Sequence, residues 1–150
     1  MRQVTVKDKG WKALKRKYKE LDGAGVKVGV LAEAGKYSGG PNIALVAAVL
    51  HYGREGSNKK WPFITDGLKK GRSKIQNVSV KVVKQMTDGT LAPRKGLDFI
   101  GLAATASVKR QIQTVTAPAL DERTIGRKRS SKPLIDTGQL LNSINHEGKI

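Results

Sequence analysis

A chain of 150 residues has room for one domain with a proper core, and a second is not expected. It holds no cysteine, which excludes disulfides, thiolate metal sites and cysteine nucleophiles, and no apolar run of the ~18 residues that a membrane span needs. Lys and Arg number 29 against 12 Asp and Glu, and the net charge of +17 points to polyanions or an acidic protein surface as partners.

The first twenty residues carry eight basic side chains and no apolar h-region, so no secretory signal is expected. Within them, GWKALKRKYKEL (10–21) places Trp11, Leu14, Tyr18 and Leu21 at helical spacing. This predicts an amphipathic helix with one apolar stripe and a basic face that includes Lys12, Lys15, Arg16 and Lys19. DGAG (22–25) breaks it, and the alternation in VKVGVLA (26–32) predicts a core strand. EAGKYSGGPN (33–42) is a loop. NIALVAAVLHYG (42–53) follows as a buried helix, with Asn42 as N-cap and Gly53 past its end.

After a polar loop over 54–60, a long helix is expected from Pro62 to about Met86, although VSVKV (78–82) inside it alternates like a strand. TDGTLAPR (87–94) interrupts. Residues 94–113 then put Leu97, Ile100, Ala104, Val108 and Ile112 on one helical face. From Thr114 to Lys132 no apolar periodicity appears, and the segment carries a second basic cluster of Arg123, Arg127, Lys128, Arg129 and Lys132. A connection of that length without structure of its own is expected to be functional, or to order on a neighbour.

The segment PLIDTGQLLNSI (133–144) poses the main chemical question, because Ile135-Asp136-Thr137-Gly138 has the form of an aspartic-protease triplet. Such enzymes need two carboxylates sharing a proton. A homodimer would supply both, but a retroviral-type protease places its flap and most strands after the triplet. The chain here has no room for them, and QLLNSI has helical spacing. The residues fit a helix start instead: Asp136 as N-cap, Gln139 at N3 completing a capping box, and Ile135 with Leu140 as hydrophobic staple. INHEGKI (144–150) then runs as a last strand beside residues 26–32.

Other catalytic readings fail on spacing. Gly29 to Lys36 has five residues between its glycines and Tyr37 after the lysine, where a phosphate-binding loop needs four and a hydroxyl. His51 and His146 lack a ligand pattern, and Asp121-Glu122 is a solvated pair in a polar loop. No enzyme activity, cofactor or metal is expected. The fold class expected is α+β: a small, mostly antiparallel sheet against three to four helices, with a long basic loop before a short C-terminal helix.

The run Lys132-Pro133-Leu134-Ile135-Asp136-Thr137-Gly138-Gln139-Leu140, followed by Ser143-Ile144, resembles the carboxy-terminal signature of phage virion-morphogenesis proteins, the tail-completion or head–tail joining family. VKVGVLA looks like their first core strand, IALVAAVLHYG like their helix ending in an aromatic-glycine pair, and WPFI, with Pro62 and Phe63, like the start of their next helix. TIGRKRSSKPLIDTG is similar to their basic loop. The likeness spans about residues 26–145 and is specific in its last segment. It implies a structural virion protein that completes the tail or joins it to the head connector, and that is assembled in the host cytoplasm. It further implies a ring, expected as a hexamer, around a channel through which DNA passes without sequence-specific contact. Its neighbours would be head-connector, neck and tail-tube proteins. The alternative is a stand-alone basic nucleic-acid-binding protein, although no base-stacking or groove-reading motif is present.

Overall fold

A computed structural model describes residues 10–56, 59–128 and 130–150. In chain order these form α1 (Trp11–Glu20), β1 (Gly25–Val30), one 3-10 turn (Ala32–Ala34), α2 (Ile43–Tyr52), α3 (Phe63–Asp88), α4 (Pro93–Thr114), α5 (Glu122–Arg127), α6 (Gln139–Ser143) and β2 (Ile144–Lys149). The class is α+β, as expected. Among the described residues no helix is long and apolar enough to cross a membrane.

The frame is the hairpin of α3 and α4. It turns where Gly89 adopts a left-handed conformation and the carbonyls of Met86 and Gln85 accept from the N–H groups of Gly89 and Thr90. Pro93 then opens α4 at a position where no amide hydrogen is needed. Gly67 and Gly71, one helical turn apart on α3, face Ser107 and Val108 of α4. A Cβ on Gly67 would stand 2.7 Å from the Val108 Cα, so the two backbones lie closer than any larger residue permits. Gly101 on α4 likewise leaves room for the ring of His146 on β2. The strand-like alternation at residues 78–82 is overridden. Val78, Val82 and Met86 recur every fourth residue, with Val82 and Met86 buried, while Val80 points into solvent.

β1 and β2 pair antiparallel, from Gly25 opposite Lys149 to Val30 opposite Ile144. β1 stops at Val30, two residues short of the expected end, because the chain enters the 3-10 turn. The sheet packs on α4, and His146 reaches Thr105 there, Nδ1 to Oγ1 at 3.3 Å. α2 begins as expected: the Asn42 side chain accepts from the Ala44 N–H at 2.7 Å, and Gly53 lies past the last residue. The core joins Ile43 and Ala47 of α2, Trp61, Phe63, Val108 and Ile112 to Leu134, Leu140 and Ile144 of the carboxy-terminal segment.

The segment 114–132, expected to lack regular structure, carries α5 and is tied to distant residues. The Trp61 indole N–H donates to the Pro118 carbonyl at 3.0 Å, and Lys59 pairs with Asp121 at 2.6 Å. Lys132 Nζ donates to the Gln113 carbonyl at 3.0 Å. None of these contacts leaves a periodic trace in the sequence.

The close approach of α3 and α4 has a direct test. Gly67→Ala should destabilise the protein by about 1–3 kcal/mol through overpacking, lowering the thermal midpoint by several degrees. Gly126→Ala in α5, where a Cβ meets nothing within 4 Å, should be neutral or stabilise by up to about 1 kcal/mol. Thermal or urea unfolding of both variants compares them, and equal losses would refute the packing argument.

Candidate assembly surface

The carboxy-terminal signature acts as a corner piece. Pro133, Leu134, Leu140 and Ile144 are buried, Ile135 and Ser143 are half-buried, and Lys132, Asp136 and Thr137 face solvent. Ser143 Oγ donates to the Leu140 carbonyl at 2.8 Å at the point where α6 gives way to β2. Pro62 and Phe63, the other residues that carry the family resemblance, open α3, with Phe63 fully buried against His51.

The expected capping geometry is not formed. Gly138, with φ of 79°, is the N-cap of α6, and no side chain caps that end. Gln139 is therefore the first helical residue and not the third, which removes the capping box. The staple positions fall on Thr137 and Asn142, while Ile135 and Leu140 pack into the core. The physical reason is that a left-handed glycine turns the chain into α6 at the residue where the Asp136 frame needed an ordinary helical one.

Asp136 instead faces two groups from other segments. Burial raises the Tyr37 phenol above its usual range, and the Asp136 charge raises it further. Burial pushes the Lys128 ammonium down, and the same carboxylate partly offsets this. Lys128 Nζ also donates to the Pro133 carbonyl at 2.9 Å, which fastens the end of α5 to the signature. Together these residues, with Val49, Trp61 and Leu120, line an open cavity of about 520 Å³.

The two basic clusters differ. Lys12, Lys15, Arg16 and Lys19 all stand exposed on α1, and Lys15 Nζ lies 5.6 Å from the centre of the Trp11 ring. Arg123 and Arg127 are exposed on α5, Lys128 is half-buried and engaged as above, and Arg129 lies outside the described residues. α1 packs on α3, held by Lys17 Nζ to the Thr87 carbonyl at 3.0 Å. Its apolar stripe stays largely uncovered, with Trp11 and Tyr18 both exposed. Sequence reasoning placed the stripe correctly but gave no sign that it would lack cover. It also missed Tyr37 and Trp61 as cavity walls, since neither sits in a periodic pattern.

No described group of three or more His, Asp or Glu is arranged to hold a metal ion. His51 is buried between α2 and α3, with Nε2 3.0 Å from Thr65 Oγ1 and Nδ1 without a hydrogen-bond partner. A proton on Nε2 donates to Thr65 and leaves only an acceptor lone pair unpaired. Burial lowers the His51 pKa, and Asp66 opposes this in part.

No protein-family model, curated protein or solved structure matches the chain.

Two outcomes test these assignments. Asp136→Asn should bring the Tyr37 phenol down towards its ordinary range, seen in an ultraviolet titration as the last phenol ionising at lower pH; an unchanged curve would mean that the carboxylate does not reach Tyr37. Because His51 is held neutral, the unfolded chain takes up its proton first as pH falls below the ordinary imidazole value of about 6.5. Stability should thus be full above that value and decline below it, and His51→Gln should flatten the decline in pH-dependent urea unfolding.

Proposed function

We propose that this chain is a structural, non-enzymatic virion protein that completes a phage tail or joins it to the head connector, working as a ring around the DNA channel. The observation that carries the reading is the placement of the Asp136-Thr137-Gly138 triplet. Asp136 is exposed, and its charge acts on the partly buried Lys128 ammonium and Tyr37 phenol. The apolar residues around it are spent on the core. A segment built in this way supports a scaffolding role for the signature.

Two further features favour assembly. The elements that carry the resemblance (β1, α2, the start of α3, and the segment from α5 to β2) meet around one core. Outside that core, α1 and α2 leave large apolar side chains in solvent, as subunits of larger assemblies do. The exposed lysines of α1 suit acidic connector surfaces or passing DNA phosphates.

The second reading, a stand-alone nucleic-acid-binding protein, draws on the same α1 surface with its exposed Trp11 beside Lys15. Salt titration of duplex binding separates the two. Weak, sequence-blind binding is expected for a channel protein, whereas tight binding with a steep log–log slope favours the alternative. The direct test of the leading reading is negative-stain imaging of the concentrated protein and of tails produced without it. Rings and tails that fail to join heads are expected; normal head-competent tails in its absence would overturn the proposal.

A further inference from the structure

Among the described residues two apolar surfaces lack cover, and they differ in kind. One is the outer face of α2. The helix IALVAAVLHY carries no Lys, Arg, Asp or Glu, and while Ile43, Ala47 and His51 point into the core, Leu45, Val49 and Tyr52 are 61%, 42% and 79% exposed. A helix that is apolar all round normally has protein on both sides. These three residues fall at i, i+4 and i+7, the spacing with which a helix anchors in a groove.

The other surface is such a groove. Between α1, β1, α3 and α4 runs a trough of about 660 Å³ walled by Tyr18, Val26, Leu68, Ile75, Met86 and Leu97, with Asp22 as its one charged wall residue. Along α3, Leu68 to Met86 gives it a length of ~27 Å, against ~15 Å for the ten residues of α2. The helices that flank it are basic: α1 with Lys12, Lys15, Arg16 and Lys19, and α3 with Arg72 and Lys84. Any α1, α3, α4 or α5 face brought here from another copy would add its own Lys or Arg to this rim. α2 brings none.

We infer that the outer face of α2 in one copy docks into the α1–α3 groove of the next copy. The inference rests on the ring reading and specifies its subunit contact. No α2 residue lines the groove, so the two surfaces are distinct patches of the subunit. Contact between unlike surfaces is head-to-tail, and it closes a ring when the rotation between copies closes. Since each copy carries +17, the contact forms against repulsion, and it strengthens as salt screens that repulsion.

The test uses the full chain in analytical ultracentrifugation and mass photometry, with two surface variants whose folding is checked by thermal unfolding. Val49→Lys spoils the helix face, and Tyr18→Lys spoils the groove. Each alone should raise the concentration for half-assembly at least about tenfold. An equimolar mixture should give dimers, because each variant keeps the surface that the other has lost. Raising the salt concentration should favour wild-type assembly. A mixture that stays monomeric, or rings that persist in both variants, would overturn this pairing while leaving the ring reading intact. Wild-type protein that remains monomeric at every concentration would overturn both. Assembly that weakens with salt would mean that ion pairs hold the copies together and would overturn the apolar pairing.

Discussion

The approach of α3 to α4 through Gly67 and Gly71 is the constraint on which the rest of the structure depends. Because a side chain at either position would strike the opposing helix, the two backbones close to a distance that only glycine allows. Val108 and Ile112 are thereby sealed completely, and Phe63 is drawn against the same core. The hairpin supplies the surface on which both strands of the sheet lie, and a two-stranded sheet is marginal without such support. Loosening the helix pair would therefore release the sheet and, with it, the eleven residues that form α6 and β2.

The carboxy-terminal signature locks this arrangement from the other side. Leu134 and Leu140 enter the core on either flank of an exposed corner, and Ile144 carries the chain directly into β2 opposite Val30. The corner itself is polar. Asp136 holds Lys128 and Tyr37 within its field, and Lys128 donates to the carbonyl of Pro133. An acidic side chain here offsets some of the cost of partly burying an ammonium group, a role that needs charge and position but no reactive chemistry.

Much of this was legible in the residues and some was not, for reasons that differ by element. α2 announced itself through Asn42 and Gly53, and both act as the local rules require. The long helices were legible because apolar residues recur at helical spacing, strongly enough to outweigh the five alternating positions at 78–82. The partnership of β1 with β2 was expected from the alternating valines of VKVGVLA and from INHEGKI after the short helix. Asp136 misled because a matching pattern, Asp with Gln three residues on, is a local signal, and Gly138 supplied a different entry to the same helix. α5 was hidden because six residues hold their shape through Lys59, Trp61 and Gln113, all distant in sequence. The uncovered stripes of α1 and α2 belong to a third category. Periodicity says which side chains share a face, but it does not say whether anything in the same chain covers that face.

The distribution of charge bears on that last point. Basic residues are spread over α1, α3, α4 and α5, while α2 has none. A chain at +17 repels its own copies over most of its surface, which keeps it dispersed and limits the faces through which it can self-associate. An apolar helix left uncharged within such a coat, as α2 is, brings no like charge of its own to a contact with another copy. If copies join through α2, the basic rim of each groove is only partly consumed, and the remaining charge stays available to acidic protein surfaces or phosphates. On that proposal repulsion and adhesion fall on different side chains, Lys and Arg for the one and apolar residues for the other, so each can be altered by substitution without removing the other.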